Sequence, residues 1–131
     1  FHLGQHGPGG WVIVDEPELR FGSDVLVPDL AGWRRERLST VPSVAYPTIA
    51  PDWVCEVLSP STEALDRSKK LRIYAREGVT HAWLVNPILR TLEVLSLARG
   101  VFRLSASYEG GVNIRAAPFG AIELDLGALW V

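Results

Sequence analysis

Between Asp52 and Thr62 the chain reads DWVCEVLSPST, an apolar run from Trp53 to Leu58 broken by one carboxylate, Glu56. A period of two puts Asp52, Val54, Glu56 and Leu58 on one face and Trp53, Cys55 and Val57 on the other. Neither face is polar, so the pattern predicts a strand covered on both sides, with Glu56 enclosed. Downstream, Leu71, Tyr74 and Ala75 recur at helical spacing, Asp66 is placed to cap and Gly78 to stop, predicting a helix from about Asp66 to Glu77. His81 to Asn86, HAWLVN, is a second apolar strand, and strand, helix, strand in that order predicts a parallel crossover. After Pro87, Thr91–Leu97, Val101–Ser107 and Val112–Ala116 predict an antiparallel meander turning at Arg99-Gly100 and Gly110-Gly111.

The amino-terminal part is more broken. Trp11–Val14 and Glu18–Phe21 are short strand-like pieces, Gly22-Ser23-Asp24 is a turn, and Val25–Trp33 is a second extended run, together predicting a hairpin. Pro28 lacks a ladder donor, so this run is expected to be an edge strand or to bulge just before Asp29. Arg34 to Pro51 has no clear period and carries Pro42, Pro47 and Pro51, predicting a long surface loop. At the other end, Leu129 and Trp130 are expected to tuck against the core.

Composition narrows the class. A chain of 131 residues, 47% hydrophobic with five Trp, is long enough for one hydrophobic core and predicts a single domain over 1–131. No apolar run approaches the roughly 18 to 20 residues of a membrane span, and the lone Cys55 excludes an intramolecular disulfide and a cysteine zinc site, so a soluble, cytoplasmic protein is expected. The chain starts at Phe1 and contains no Met, which predicts a fragment truncated at its N-terminus. Thirteen basic against fifteen acidic residues leave a net charge of -2, so nucleic-acid binding would need a local basic patch.

Burying an ionised carboxylate costs several kcal/mol unless it is paired or coordinated. The plainest compensation for Glu56 is an ion pair with a neighbouring Arg or Lys. A second acid in an apolar segment, Asp29 between VLVP and LAGW, opens another: two carboxylates on neighbouring strands suit a hard divalent cation. Asp29 is equally suited to closing a turn after Pro28. Of the thirteen basic residues eleven are Arg, and the two Lys, Lys69 and Lys70, are adjacent on the predicted helix. Lys69 points away from the core face, whereas Lys70 lies on its flank, one turn from Tyr74, where its stem can follow apolar surface into a cleft. A solvated basic helix carrying Arg67, Lys69, Lys70, Arg72 and Arg76 is the competing description.

Asp29 after Pro28, Glu56 in an apolar strand and then a lysine resemble the PD-(D/E)XK nuclease superfamily. More closely, VPDLAGWRRERL, APDWVCEVLSPST and DRSKKLRIYAREGVTHAWLVNP resemble the Uma family of candidate bacterial restriction endonucleases, over about Glu18 to Pro87 and more loosely in IELDLGALW. The resemblance implies a mixed α+β fold, a restriction-endonuclease-like mixed sheet flanked by helices. It also implies magnesium or manganese on Asp29 and Glu56, and a lysine assisting attack on a DNA phosphodiester. The sequence departs from the superfamily in having Leu58 where the lysine two residues after the acid belongs, which moves that role to Lys70 on the helix. It also lacks the usual helix before the first hairpin, of which FHLGQH could be only the end; Glu18 is a weaker candidate for an extra acid.

The expected function is therefore a magnesium-dependent DNA endonuclease with Asp29, Glu56 and Lys70 as catalytic residues, acting as a homodimer. The alternative is a catalytically inactive nuclease-fold domain that binds nucleic acid or a protein partner. Carboxylate-based glycoside hydrolysis also needs two acids but gives the lysine helix no role. His2 and His6 are four apart but terminal, His81 has no evident partner, the five Trp are expected in the core, and Arg34, Arg35 and Arg37 suit a solvated loop or phosphate contacts.

Overall fold

In the computed structural model, which describes residues 10–38, 49–59, 63–120 and 124–127, the apolar run after Asp52 is an inner strand of a six-stranded sheet. The elements are β1 (Trp11–Asp15), β2 (Leu19–Phe21), β3 (Asp24–Leu26), β4 (Leu30–Arg34), a 3-10 turn (Arg35–Arg37), β5 (Trp53–Val57) and α1 (Glu63–Arg76). They continue with β6 (His81–Asn86), β7 (Thr91–Ala98), β8 (Val101–Glu109), β9 (Asn113–Ile114) and β10 (Leu124–Asp125). The sheet order is β1-β4-β5-β6-β7-β8. β5 and β6 are parallel, joined by α1, and the other pairings are antiparallel. This is the mixed α+β architecture expected, with the crossover where the sequence pattern places it.

The alternation along β5 separates two cores. Trp53 and Cys55 join Trp11, Trp83 and Phe119 on one face, while Val54 packs with Tyr74, Ala82 and Leu84 under α1 on the other. On the first face Phe119 meets Trp11, Trp53 and Trp83 edge-on, at centroid distances of 4.9, 5.0 and 5.6 Å, tying β1, β5 and β6 to the carboxy-terminal segment. Trp11, Trp33, Trp53 and Trp83 are all buried. Gly32 of β4 is where two of these rings close in: a Cβ there would stand 3.1 Å from Trp53 and 3.2 Å from Trp11. Both rings are buried, so Gly32→Ala is expected to overpack this contact and lower stability by about 1 to 3 kcal/mol in urea denaturation.

Burial also governs Cys55. Desolvation pushes its thiol far above the ordinary range, with Asp29 and Glu56 adding to the effect. Cys55 should therefore resist alkylation in the folded protein and react once denaturant exposes it, as mass spectrometry of iodoacetamide-treated samples would show.

Several expectations are corrected. α1 begins at Glu63, so Asp66 lies within its first turn instead of capping it; Glu63, Ala64 and Leu65 are good helix formers and carry the helix upstream. Its end is as expected: Gly78 takes φ +84, with Val79 N donating to Tyr74 O and Gly78 N to Ala75 O, a Schellman closure. The run Val25–Trp33 is two strands, because Pro28 supplies no ladder donor. β3 forms the expected hairpin with β2 across Gly22-Ser23, while β4 becomes an inner strand between β1 and β5. The turn at Arg99-Gly100 joins β7 to β8, but the third meander strand leaves the sheet, and β9 pairs instead with β10. The loop after Arg34 opens with a 3-10 turn; its residues 39–48, together with His2, His6, Leu129 and Trp130, lie outside the described residues. Among the described residues no helix is long and apolar enough to cross a membrane.

Candidate functional site

β4 and β5 run antiparallel with Leu30 opposite Cys55. One further step of that register sets Asp29 against Glu56, at the end of the sheet where β5 finishes. Pro28 stops the ladder just before Asp29, freeing its carboxylate from the alternation of a regular strand. Asp29 Oδ2 accepts a hydrogen bond from Val57 N at 2.6 Å, and Asp29 O accepts one from Glu16 N at 3.0 Å. The acid is thus anchored to the backbone beside Glu56.

Glu56 is 8% exposed and faces α1. Tyr74 OH donates to its Oε2 at 2.7 Å, and Lys70 Nζ stands 3.5 Å from its Oε1. The two donors are four residues apart and so share one face of the helix. Lys70 is about one-third exposed with its head reaching the carboxylate; Lys69 is exposed to solvent. Helical phase separates the two lysines as the sequence pattern requires.

Despite both donors, the Glu56 carboxyl is raised above its ordinary value: burial is the largest cause, the Tyr74 hydrogen bond and the Lys70 charge oppose it, and the Asp29 charge adds to it. Burial of Glu56 therefore outweighs the relief that Tyr74 and Lys70 give its charge. Two carboxylates on neighbouring strands suit a divalent cation such as magnesium, which commonly takes only one or two protein carboxylates and completes its shell with water and phosphate. Among the described residues no group of three or more His, Cys, Asp or Glu gathers into a metal cluster. Asp29, Glu56 and Lys70 come together from three separate elements, β4's entry, β5 and α1.

Other candidates fall elsewhere. Glu18 pairs with Arg20 at 2.8 Å on the β2–β3 hairpin, both side chains well exposed. The arginines after β4 sit at the opposite end of the sheet. Arg34 N and Arg37 Nη1 both donate to Asp52 at 2.7 Å, Arg34 stacks over Trp11 at 4.7 Å, and Arg35 reaches Trp11 O at 3.4 Å. Asp52 precedes Glu56 by four residues, or roughly 13 Å at a strand's rise of about 3.3 Å per residue. These arginines hold the strand end and are not beside the carboxylate pair. His81 is at that far end too, its pKa lowered by burial and by Arg34. Tyr74 is the residue the sequence pattern leaves in the core without a chemical role. The available signal is its spacing of four from Lys70, which aims both polar groups at one target.

A family model described as "Uma2: Putative restriction endonuclease" matches residues 2–127. No curated protein matches the chain. Among solved structures, that of "a putative nuclease belonging to DUF820" from Anabaena variabilis superposes with a TM-score of 0.73 and 21% identity, over 92% of this chain and 68% of that one. At that identity the likeness establishes a shared fold.

Proposed function

The chain belongs to the Uma2 family of restriction-endonuclease-like proteins, and from that premise we propose that it is a magnesium- or manganese-dependent DNA endonuclease with Asp29, Glu56 and Lys70 as its catalytic residues. The observation that carries the reading is the placement of Glu56, buried with Tyr74 and Lys70 on its carboxylate, one register step from the Leu30–Cys55 pairing and so beside Asp29. Asp29 and Glu56 would hold the cation between β4 and β5. Bound there, it would supply an activated water and positive charge against the transition state at phosphorus.

The residues of the chain do the rest. Asp29, fixed by Val57 N, and Glu56, fixed by the sheet ladder and Tyr74, would hold the cation in one defined place. Lys70 orients the attacking water and assists its deprotonation. The water oxygen bonds to phosphorus, the P–O3' bond breaks, and the 3' oxygen leaves with the electron pair and takes up a proton. The products are a 5'-phosphate and a 3'-hydroxyl. The nuclease description of the Anabaena structure is consistent with this chemistry. We take residues 1–131 as one domain of a cytoplasmic protein that acts on duplex DNA as a homodimer, since two-fold symmetry presents one site to each strand.

A second reading has an observation of its own. Lys70 and Tyr74 already compensate Glu56 in part, as in a nuclease-fold domain that binds nucleic acid without cutting it. Incubation with supercoiled plasmid separates the two. The endonuclease nicks and linearises it in magnesium or manganese, stops on addition of EDTA and resumes when the metal is restored. Retardation of DNA without cleavage in either metal would favour the second reading.

A further inference from the structure

Resting on the metal-site reading above, we propose that Tyr74 is a positioning residue that holds Glu56 by Oε2 and so reserves Oε1 as the oxygen that takes the cation. The two oxygens of this carboxylate are held very differently. Tyr74 is fully buried, and its hydroxyl lies 2.7 Å from Oε2. Its ring packs in the core with Val54, Ala82 and Leu84, and its carbonyl accepts from Val79 N in the helix closure. A phenol has few rotatable bonds, so ring and hydroxyl form a stiff support. The bond lies where water does not replace it, and breaking it would leave a buried donor and a buried acceptor unpaired.

Lys70 holds Oε1 loosely. Its ammonium is 3.5 Å away, on a flexible stem about one-third exposed. Oε2 already has one acceptor site taken by a fixed, buried hydroxyl, whereas releasing Lys70 from Oε1 requires only that its head swing into solvent. Oε1 is therefore the oxygen more readily given to a cation. With a cation on Oε1, the Lys70 ammonium would be released from that oxygen and free to meet water or phosphate. The helix supplies both halves of the device from one face: a fixed hydroxyl at Tyr74 and, one turn earlier, a displaceable cation at Lys70.

The test is calorimetric titration of manganese chloride into chelator-stripped protein, without DNA, at a temperature where circular dichroism shows each variant folded. Tyr74→Phe removes only the hydroxyl and is expected to weaken manganese binding about 10- to 100-fold, as loss of a hydrogen-bond partner behind a metal ligand typically does. Affinity equal to that of the parent protein would overturn the proposal, whatever the change in melting temperature. If Tyr74→Phe does not fold, Lys70→Ala decides: manganese affinity equal to or tighter than the parent's supports a displaceable ammonium on Oε1, and weaker affinity overturns it. A Glu56→Gln arm keeps the two levels apart. If it binds manganese as tightly as the parent, the metal-site reading itself fails; if it loses manganese while Tyr74→Phe does not, only the positioning role fails.

Discussion

Glu56→Gln is expected to abolish DNA cleavage while making the metal-free protein more stable at neutral pH. The first effect follows from removing the charge of a proposed metal ligand. Stabilisation of transition-state charge worth several kcal/mol, at about 1.36 kcal/mol per tenfold, corresponds to a loss of about three orders of magnitude in turnover. The second follows from the pKa. In the folded chain the Glu56 carboxyl is raised above its ordinary value of 4.5, chiefly by burial. Between 4.5 and the raised value the folded state keeps a proton that the unfolded state has released, so folding stability falls as pH rises through that window. Above the window the whole penalty is present.

Gln carries no such penalty, and its carbonyl still accepts from Tyr74. Thermal melts in EDTA should therefore show the variant melting above the parent at pH 7, with the gap closing as pH falls toward 4.5. Adding manganese should reverse the order, because the ion stabilises only the protein that binds it. A residue whose loss disables catalysis and strengthens the apo fold is under functional demand; a purely structural ion pair would weaken the fold when broken.

The second large effect separates the two lysines. Lys70→Ala is expected to reduce turnover by about 10²- to 10⁴-fold, the usual contribution of a positioned acid-base group. Lys69→Ala, on the exposed side of the same helix, should change it by less than about threefold, since surface substitutions away from such features are usually near neutral. Steady-state rates at saturating magnesium measure both. Equal losses from the two substitutions would mean that the lysines act only as general charge toward DNA. Lys70→Ala should also destabilise the metal-free chain at neutral pH, since it removes the cation that opposes burial of the ionised Glu56.

The parts of this site readable from the sequence are those encoded by local periodicity. Alternation along Trp53–Val57 shows that Glu56 points into an enclosed face. A 100° turn per residue shows that Lys70, and not Lys69, lies on the side of Tyr74. Gly78 marks the helix end because only a residue tolerant of positive φ closes it that way. Pro28 signals an interruption, but whether the chain then bulges or starts a new strand is decided by tertiary pairing, and β4 is drawn into the sheet between β1 and β5.

What eludes a linear reading depends on distant partners. The third meander strand has a suitable pattern, yet β9 finds β10 ten residues later instead of extending the sheet. By composition the arginines after Trp33 suit a solvated loop or phosphate contacts. Their roles are set by Asp52 and Trp11, which the fold brings to them at the end of the sheet away from Glu56. Tyr74 is hidden for a related reason: periodicity identifies it as buried, and only the packing of α1 on β5 reveals that its hydroxyl meets a carboxylate.

The central claim is that Asp29 and Glu56 share a divalent cation. Crystals of the protein soaked in manganese chloride, with diffraction recorded near the manganese absorption edge, test it directly. One anomalous peak per chain is expected within about 2.0 to 2.6 Å of a carboxylate oxygen from each residue, the span of hard-cation bonds to oxygen. No peak between the two carboxylates, at a manganese concentration that supports DNA cleavage, would contradict it.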